Sequence, residues 1–370
     1  MNNNRFTVFL LTLSVLFTAS LPVFPSSYIK VITDPPPNLW EKNFKLLKKV
    51  REIKDQVGKD EYLFLPYSIA MDRNNNLFIY DRGQAKILVF DASFKFIKSF
   101  GAVGAGPGEF SGSGKFSSVP IQIGPDGKLY AYDHNANKVL VFDTDGKFVR
   151  QIKINPSLGF NFKDPTADKS GNLIFQEFRG DSLVIFSEKG EILFSMLNKE
   201  KEKEYLFAEN KIFLRPGQED NIPKNEPFSY DGSELQMKIT ANSKLFLYFT
   251  AAATLYIVDL NDRKNAKKFR IWPEEAVKLR KAELEKMKFG YACLFSPIIP
   301  DGDQSDLFYV DFGKNKDRKS ECLYRLNLEG NLMGVLYIPI TEGSATPMIL
   351  LKQNNFFFAR EDDKVVVYQE

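Results

Sequence analysis

The chain has 370 residues, with 50 Lys plus Arg against 47 Asp plus Glu for a net charge of +3, and it is 44% hydrophobic and 26% charged. That is globular composition, which excludes a disordered or collagen-like polymer, and a charge so near balance gives no long-range field to collect a phosphate backbone. One His and two Cys exclude multi-histidine metal chemistry, Cys-rich zinc sites and a disulfide framework.

Aromatic residues make up 14% of the chain, carried by 34 Phe and 15 Tyr. Such side chains suit pleated, half-buried surfaces and predict β structure.

Arg5 precedes the apolar run Phe6–Phe17, and the small residues Thr18, Ala19 and Ser20 follow it. This is the layout of a secretory signal peptide, so residues 1–20 are predicted to direct export to the periplasm or cell exterior. An uncleaved membrane anchor is the second reading, because apolar character reaches Phe24 and nears the roughly 20 residues a span needs. Thr7, Thr12, Ser14 and Thr18 dilute the apolar character and Pro22 and Pro25 end it, which favours the signal. Residues 21–42 read as a linker. Export would permit a Cys293–Cys322 bond, but with one strand between them their backbones would stand roughly 10 Å apart, beyond disulfide reach.

Internal repetition decides the architecture. The stretch from Ile69 (IAMDRNNNLFIYDRGQAKILVFD) matches that from Ile121 (IQIGPDGKLYAYDHNANKVLVFD), with Asp81 against Asp133 and Phe90 against Phe142, 52 residues apart in both cases. A third copy starts at Pro165, and weaker ones place anchors at Val258, Leu326 and Tyr368 beside Phe186, so there are six. Asn74-Asn75-Asn76, Asp126-Gly127, Ser170-Gly171, Asn242-Ser243, Asp301-Gly302 and Asn354-Asn355 recur at the first hairpin turn, where tight geometry needs positive φ. Radial stacking of such four-stranded units predicts an all-β, six-bladed β-propeller over residues 43–370. The chain stops after the third strand of the last copy. Residues 44–53 (FKLLKKVREI), patterned like the outer strands, are expected to supply the missing strand and close the ring; a short helix is the competing reading.

The Pro-x-x-Ile start at Pro66, LFIYDRGQAKILVFD, LYAYDHNANKVLVFD and the glycine-rich FGAVGAGPGEF of Phe100–Phe110 resemble NHL-repeat propellers, and more closely exported bacterial six-bladed propellers related to them. The resemblance implies an axial channel with loops on two faces. Residues 199–234 interrupt the period as a long loop. Residues 272–290 (around PEEAVKLRKAELEKMK) read as a short helical insertion, with Pro273 at its start, acids in its first turn and lysines in its last.

Little in the sequence suggests catalysis. The glycine run 101–108 lacks the lysine and helix of a phosphate cradle and reads as a mobile connector. A lactonase-like cation site would need several oxygen ligands at the inner strand starts, where only Asp164 is acidic, so a metal-dependent hydrolase or lyase is the alternative, with a divalent cation such as Ca²⁺ as its sole cofactor. The leading expectation is a monomeric, non-catalytic binding module, without cofactor or nucleic acid. Its protein, peptide or glycan ligand would meet Arg82, His134, Arg179 and Phe312 at equivalent second-to-third strand turns on one face.

Overall fold

The computed structural model of the chain describes residues 29–31, 44–114, 118–154, 166–176, 183–196, 235–239, 244–249, 254–259, 266–270, 298–301, 307–314, 320–339, 348–361 and 363–370. The expected signal peptide, both insertions with the expected helix, and Cys293 lie outside the described residues. Six four-stranded antiparallel units carry the fold, five of them made of consecutive strands and the sixth of three consecutive strands joined by one from the N-terminal segment. Blade 1 runs Pro66–Met71, Leu77–Asp81, Lys86–Phe90 and Phe96–Phe100; blade 2 runs Ile121–Ile123, Leu129–Asp133, Lys138–Phe142 and Phe148–Lys153. Blades 3 to 6 begin at Thr166, Leu235, Ile298 and Met348. Their first strands neighbour one another in cyclic order, with blade 6 meeting blade 1, so the six sheets stand around one axis.

Strand alternation explains why the second and third strands read as unbroken apolar runs. In Leu77–Asp81, Phe78 and Tyr80 pack toward blade 2, among Leu129, Ala131, Leu140 and Phe142. Leu77 and Ile79 point the other way, into blade 6 beside Phe358, Val365 and Val367. A strand buried on both faces can spare no polar position. The core is therefore not one mass but a set of layers between blades, with further layers between blades 2 and 3 and between 5 and 6.

The repeat anchors have a shared geometric cause. In five blades the pairing of third and fourth strands shifts register at the anchor: Val89/Phe90, Val141/Phe142, Ile185/Phe186, Arg325/Leu326 and Val367/Tyr368. Such a bulge bends and twists the outer hairpin, and each anchor's large side chain is buried there. In four of these blades the next residue, Asp91, Asp143, Ser187 or Asn327, caps the turn by accepting a backbone N–H from the residue four ahead. The first hairpin turns behave as the sequence predicts, Asn75, Gly127, Gly171 and Asn354 having φ of 64°, 79°, 75° and 51°. Gly146 is required twice over: its φ is 81°, and a Cβ there would lie 2.5 Å from the Phe100 ring of blade 1.

The ring closes with the N-terminal segment. Lys48–Ile53 pairs antiparallel with Lys364–Gln369 as the fourth strand of blade 6, and its bulge at Val367/Tyr368 copies that of the covalently continuous blades. The position that caps the outer turn elsewhere is here Gln369, since no turn follows it. Two shorter pieces were not foreseen. Phe44–Leu46 adds a parallel fifth strand to blade 5, and Ile29–Val31, inside the expected linker, adds one to blade 4. The glycine-rich connector is also pinned rather than loose: Phe110 N–H donates to Ala102 O (2.8 Å) and Gly104 N–H to Phe110 O (2.9 Å), while the Phe110 ring is fully buried against Tyr80.

Charge marks the seam as well. Glu52 accepts from Lys49 and from Lys364 (3.1 Å), and these two hydrogen bonds, Lys49 first, hold its carboxyl well below the usual range, at about 2 instead of 4.5. A depressed carboxylate contributes stability above its unfolded value and loses it as pH falls from about 4.5 to 2. Urea titrations at pH 5 and pH 2 are expected to show Glu52→Gln losing less stability than the unaltered protein over that interval. The difference should stay within about 1 kcal/mol because the pair is solvent-screened; equal losses would contradict the assignment.

Candidate functional site

In blades 1 and 2 the second strand ends where the first begins, as in the pairs Pro66↔Asp81 and Ile121↔Ala131, so their second-to-third turns stand side by side at one mouth of the channel. Two buried aspartates set these turns. Asp81 accepts from the N–H groups of Phe64 (2.8 Å), Leu65 (3.0 Å) and Gly83 (2.8 Å) and from Gln84 Nε2 (3.0 Å). Asp133 accepts from Ser111 N–H (2.7 Å) and Oγ (2.6 Å), with Lys138 Nζ at 3.9 Å. A carboxylate removed from water survives only when donors replace its hydration. Each aspartate thus clamps the connector entering its blade and sets the position of the next residue, Arg82 or His134. His134 opens a short 3-10 turn, His134–Ala136, closed by Asn137 at φ 47°.

Tyr67, at the start of the inner strand of blade 1, is the centre of the site. Arg82 Cζ lies 5.6 Å from its ring centroid, and Arg360 Cζ, from the second strand of blade 6, lies 5.9 Å away. Arg360 Nη1 also donates to Tyr67 O (3.2 Å). The Tyr67 and Ser118 hydroxyls share a hydrogen bond of 2.5 Å, and His134 N–H donates to Ser118 O (3.4 Å). Arg82 and His134 are therefore joined through Tyr67 and Ser118. Beside them Ser68 Oγ donates to Val119 O (2.8 Å) and accepts from Ile121 N–H (3.1 Å), stitching blade 1 to blade 2. Burial pushes the Arg360 guanidinium below its ordinary pKa, and the positive charge of Arg82 pushes it further.

The lead-in to blade 1 brings an apolar element to the same face. Tyr62 and Phe64 are 41% and 52% exposed, and their rings stack at 5.9 Å and 27°. Gln84 Nε2 donates to Tyr62 O (2.5 Å), and a Cβ on Gly83 would sit 3.0 Å from that of Phe64, so the stack lies against the Arg82 turn.

Of the residues expected at the site, Arg82 and His134 stand where the repeat puts them. Arg179 and Asp164 lie outside the described residues. Phe312 is within the strand Leu307–Lys314, in the register shift between Asp311 and Lys314, rather than in the turn that follows. No repeat position marks Arg360: strand pairing puts it in the second strand of blade 6 at the place of Tyr80 in blade 1, with Glu361 at the place of Asp81. Tyr62 and Phe64 precede the repeat, so no repeat position marked them. Among the described residues no group of three or more His, Cys, Asp or Glu is placed to hold a metal ion. The Thr166 hydroxyl, at the inner strand of blade 3, is buried without a hydrogen-bond partner.

A family profile described as a 6-bladed beta-propeller, DUF5128, matches residues 57–268. The chain belongs to the DUF5128 family. Among solved structures, the DUF5128 chain is similar to a DUF4221 family member from Bacteroides vulgatus, at 11% identity over 87% of this chain and 97% of that one with a TM-score of 0.53. It is also similar to a protein from Bacteroides fragilis described as exported, at 14% identity over 93% and 99% with a TM-score of 0.52. A catalytically inactive virginiamycin B lyase from Staphylococcus aureus, solved with quinupristin, matches at 12% identity over 88% and 99% with a TM-score of 0.48. Identities this low show the shared fold alone. No curated protein matches the DUF5128 sequence. No helix among the described residues is long and apolar enough to cross a membrane.

Proposed function

We propose that this protein is an exported, monomeric, non-catalytic binding or scaffold propeller related to NHL-repeat proteins. It takes a protein, peptide or glycan ligand on the face that carries Arg82 and His134. The carrying observation is the convergence on one channel mouth of Arg82 and Arg360, both packed on Tyr67, beside the exposed Tyr62–Phe64 stack. Arginine and aromatic side chains dominate binding hot spots because they offer large contact area with directional donors. Asp81 and Asp133, beside Arg82 and His134, are already engaged by donors of their own connectors and turns. The signal-like layout of residues 1–20 supports export.

Peptide and glycan arrays probed with the full chain test this reading. Ligands retained by the unaltered protein should be lost, with affinity down about ten-fold or more, in a Tyr62→Ala/Phe64→Ala variant and in Arg82→Ala, with thermal midpoints little changed. Unchanged array profiles in both variants would overturn it.

A further inference from the structure

We infer that the outer rim of blades 4 to 6, where the N-terminal segment is laid down as a strap, docks on an anionic lipid surface. This rim is separate from the channel mouth that carries Arg82 and His134.

The strap follows the rim in ring order. Ile29–Val31 pairs with Lys268–Arg270 of blade 4, Phe44–Leu46 pairs with Val335–Tyr337 of blade 5, and Lys48–Ile53 is the outer strand of blade 6. These three pieces and Ala266–Arg270, the fourth strand of blade 4, hold eight Lys and Arg against Glu52 alone, a net of 8 − 1 = +7. The whole chain carries +3, so everything else is net negative. The fourth strands of blades 1 to 3 hold Lys98, Arg150 and Lys153, and the first two face Asp145 (3.6 Å) and Glu188 (3.3 Å). Screening confines electrostatic attraction to about 8 Å at physiological salt, so the local density of charge decides the interaction, not the total.

The carboxylates near the strap do not cancel this surplus. Glu52 is shared by Lys49 and Lys364, and Glu370 lies 3.7 Å from Lys45 and 3.5 Å from Arg325. The Lys45 side chain stays 56% exposed, and Lys48 and Arg51 are exposed with no ion pair among the described residues. Asp55, just past the strap, and Glu329, in the outer turn of blade 5, lower the local charge by one each.

Lysines on a strand edge are an ordinary guard against unwanted strand pairing. Here they stand among exposed aliphatic side chains, which a guard would avoid. The bulge at each anchor leaves one outer-strand residue without a partner, and it is Met333 in blade 5 and Val50 in blade 6, 55% and 43% exposed. Ile97 and Val149 are their counterparts in blades 1 and 2. Leu46, 53% exposed, has no counterpart there, because it belongs to the strand added to blade 5. Cations that reach headgroups, together with aliphatic side chains that enter the interface, are the combination an anionic bilayer binds. The path of the chain agrees. Ile29 follows Phe24, the end of the apolar stretch, by five residues, a reach of at most about 18 Å, so the residues before Ile29 leave the fold at this same rim. A surface against the rim runs alongside the channel axis and leaves the mouth with Arg82 and His134 open.

The test is co-sedimentation of the chain from Leu21, which retains every described residue, with vesicles of phosphatidylcholine alone and with added phosphatidylglycerol. Binding should be tighter to the anionic vesicles by about ten-fold or more and should weaken as salt is added. Lys45→Gln/Lys48→Gln/Arg51→Gln should lose about ten-fold or more of it, and Lys48→Gln alone about three-fold or more. Leu46→Ser/Met333→Ser should lose several-fold at every salt concentration. Lys147→Gln/Lys153→Gln, on the rim of blade 2 across the ring from blade 5, should bind like the unaltered protein. Thermal melts of each variant separate lost docking from lost folding. Equal binding to the two kinds of vesicle, an unchanged Lys48→Gln, or an equal loss in the blade 2 variant would overturn the inference. So would binding to dextran sulfate that matches the vesicles and is indifferent to Leu46→Ser/Met333→Ser, because the rim would then be a site for an acidic polymer.

Discussion

A chain that begins after Lys54 is expected to lose cooperative folding, although it keeps the four antiparallel strands of each of blades 1 to 5. Its missing piece, Lys48–Ile53, supplies the outer strand of blade 6, with Ile53 opposite Val365 and Arg51 opposite Val367. Ile53 is 4% exposed in the layer between blades 6 and 1, and the adjacent Leu47 is 1% exposed between blades 5 and 6. Burying two such side chains stabilises by roughly 2 kcal/mol each, and the ladder bonds add about 1 kcal/mol apiece. The sum approaches the whole of a typical folding free energy of about 5–15 kcal/mol. The loss also bares an edge of the buried run Val365–Tyr368, which invites aggregation. Urea unfolding followed by tyrosine fluorescence should show a shallow, early transition with dye-binding apolar surface already present in buffer. A truncated chain with the midpoint and slope of the full one would show that blade 6 does not need its borrowed strand. Arg51→Pro, which removes a ladder position without removing the segment, should fall between the two.

The second large effect is expected from Asp301→Ala, at the opposite mouth of the channel. Asp301, at the first hairpin turn of blade 5, and Lys352, near the end of the first strand of blade 6, form an ion pair whose side chains are only 7% and 5% exposed. Asp301 also accepts from the Tyr309 hydroxyl (2.9 Å), and Lys352 donates to Asn354 O while lying 5.7 and 5.8 Å over the Tyr309 and Phe357 rings. Burial, followed by the Asp301 charge, pushes the Tyr309 hydroxyl above its ordinary pKa, so it serves as a donor throughout the working range. Removing the aspartate strands an ammonium in the interior, a loss of about 3–5 kcal/mol. Replacing both partners by apolar residues of similar size, Asp301→Leu with Lys352→Met, leaves no stranded charge and should cost far less. Denaturant titrations of the two single variants and the double variant form the check: additive losses would mean that the pair is not coupled.

These two effects differ in how visible their causes are along the chain. The closing strand could be read from FKLLKKVREI because its pattern copied outer strands elsewhere and because the last copy ended one strand short. Pairing of Asp301 with Lys352 could not, since Asp301 belongs to a repeated turn but Lys352 occupies a position whose partner lies in another blade. The same division holds at the candidate site. Asp81 and Asp133 repeat at a fixed offset, so the turns they clamp, and Arg82 and His134 with them, were legible. Arg360 meets Arg82 only because blade 6 returns to blade 1, and Tyr62 and Phe64 reach the face only through the backbone clamp at Asp81.

Local chemistry therefore determined everything that recurs: strand alternation, turns at positive φ, capped outer hairpins and six units of common build, because each depends on residues within a few positions of one another. Encounters between units, including the arginine pair on Tyr67, the ion pair under blades 5 and 6, and the added strands Ile29–Val31 and Phe44–Leu46, were decided only by closure of the ring. Their partners lie from 51 to 293 residues apart, and no short-range periodicity encodes which of them the circular arrangement brings into contact.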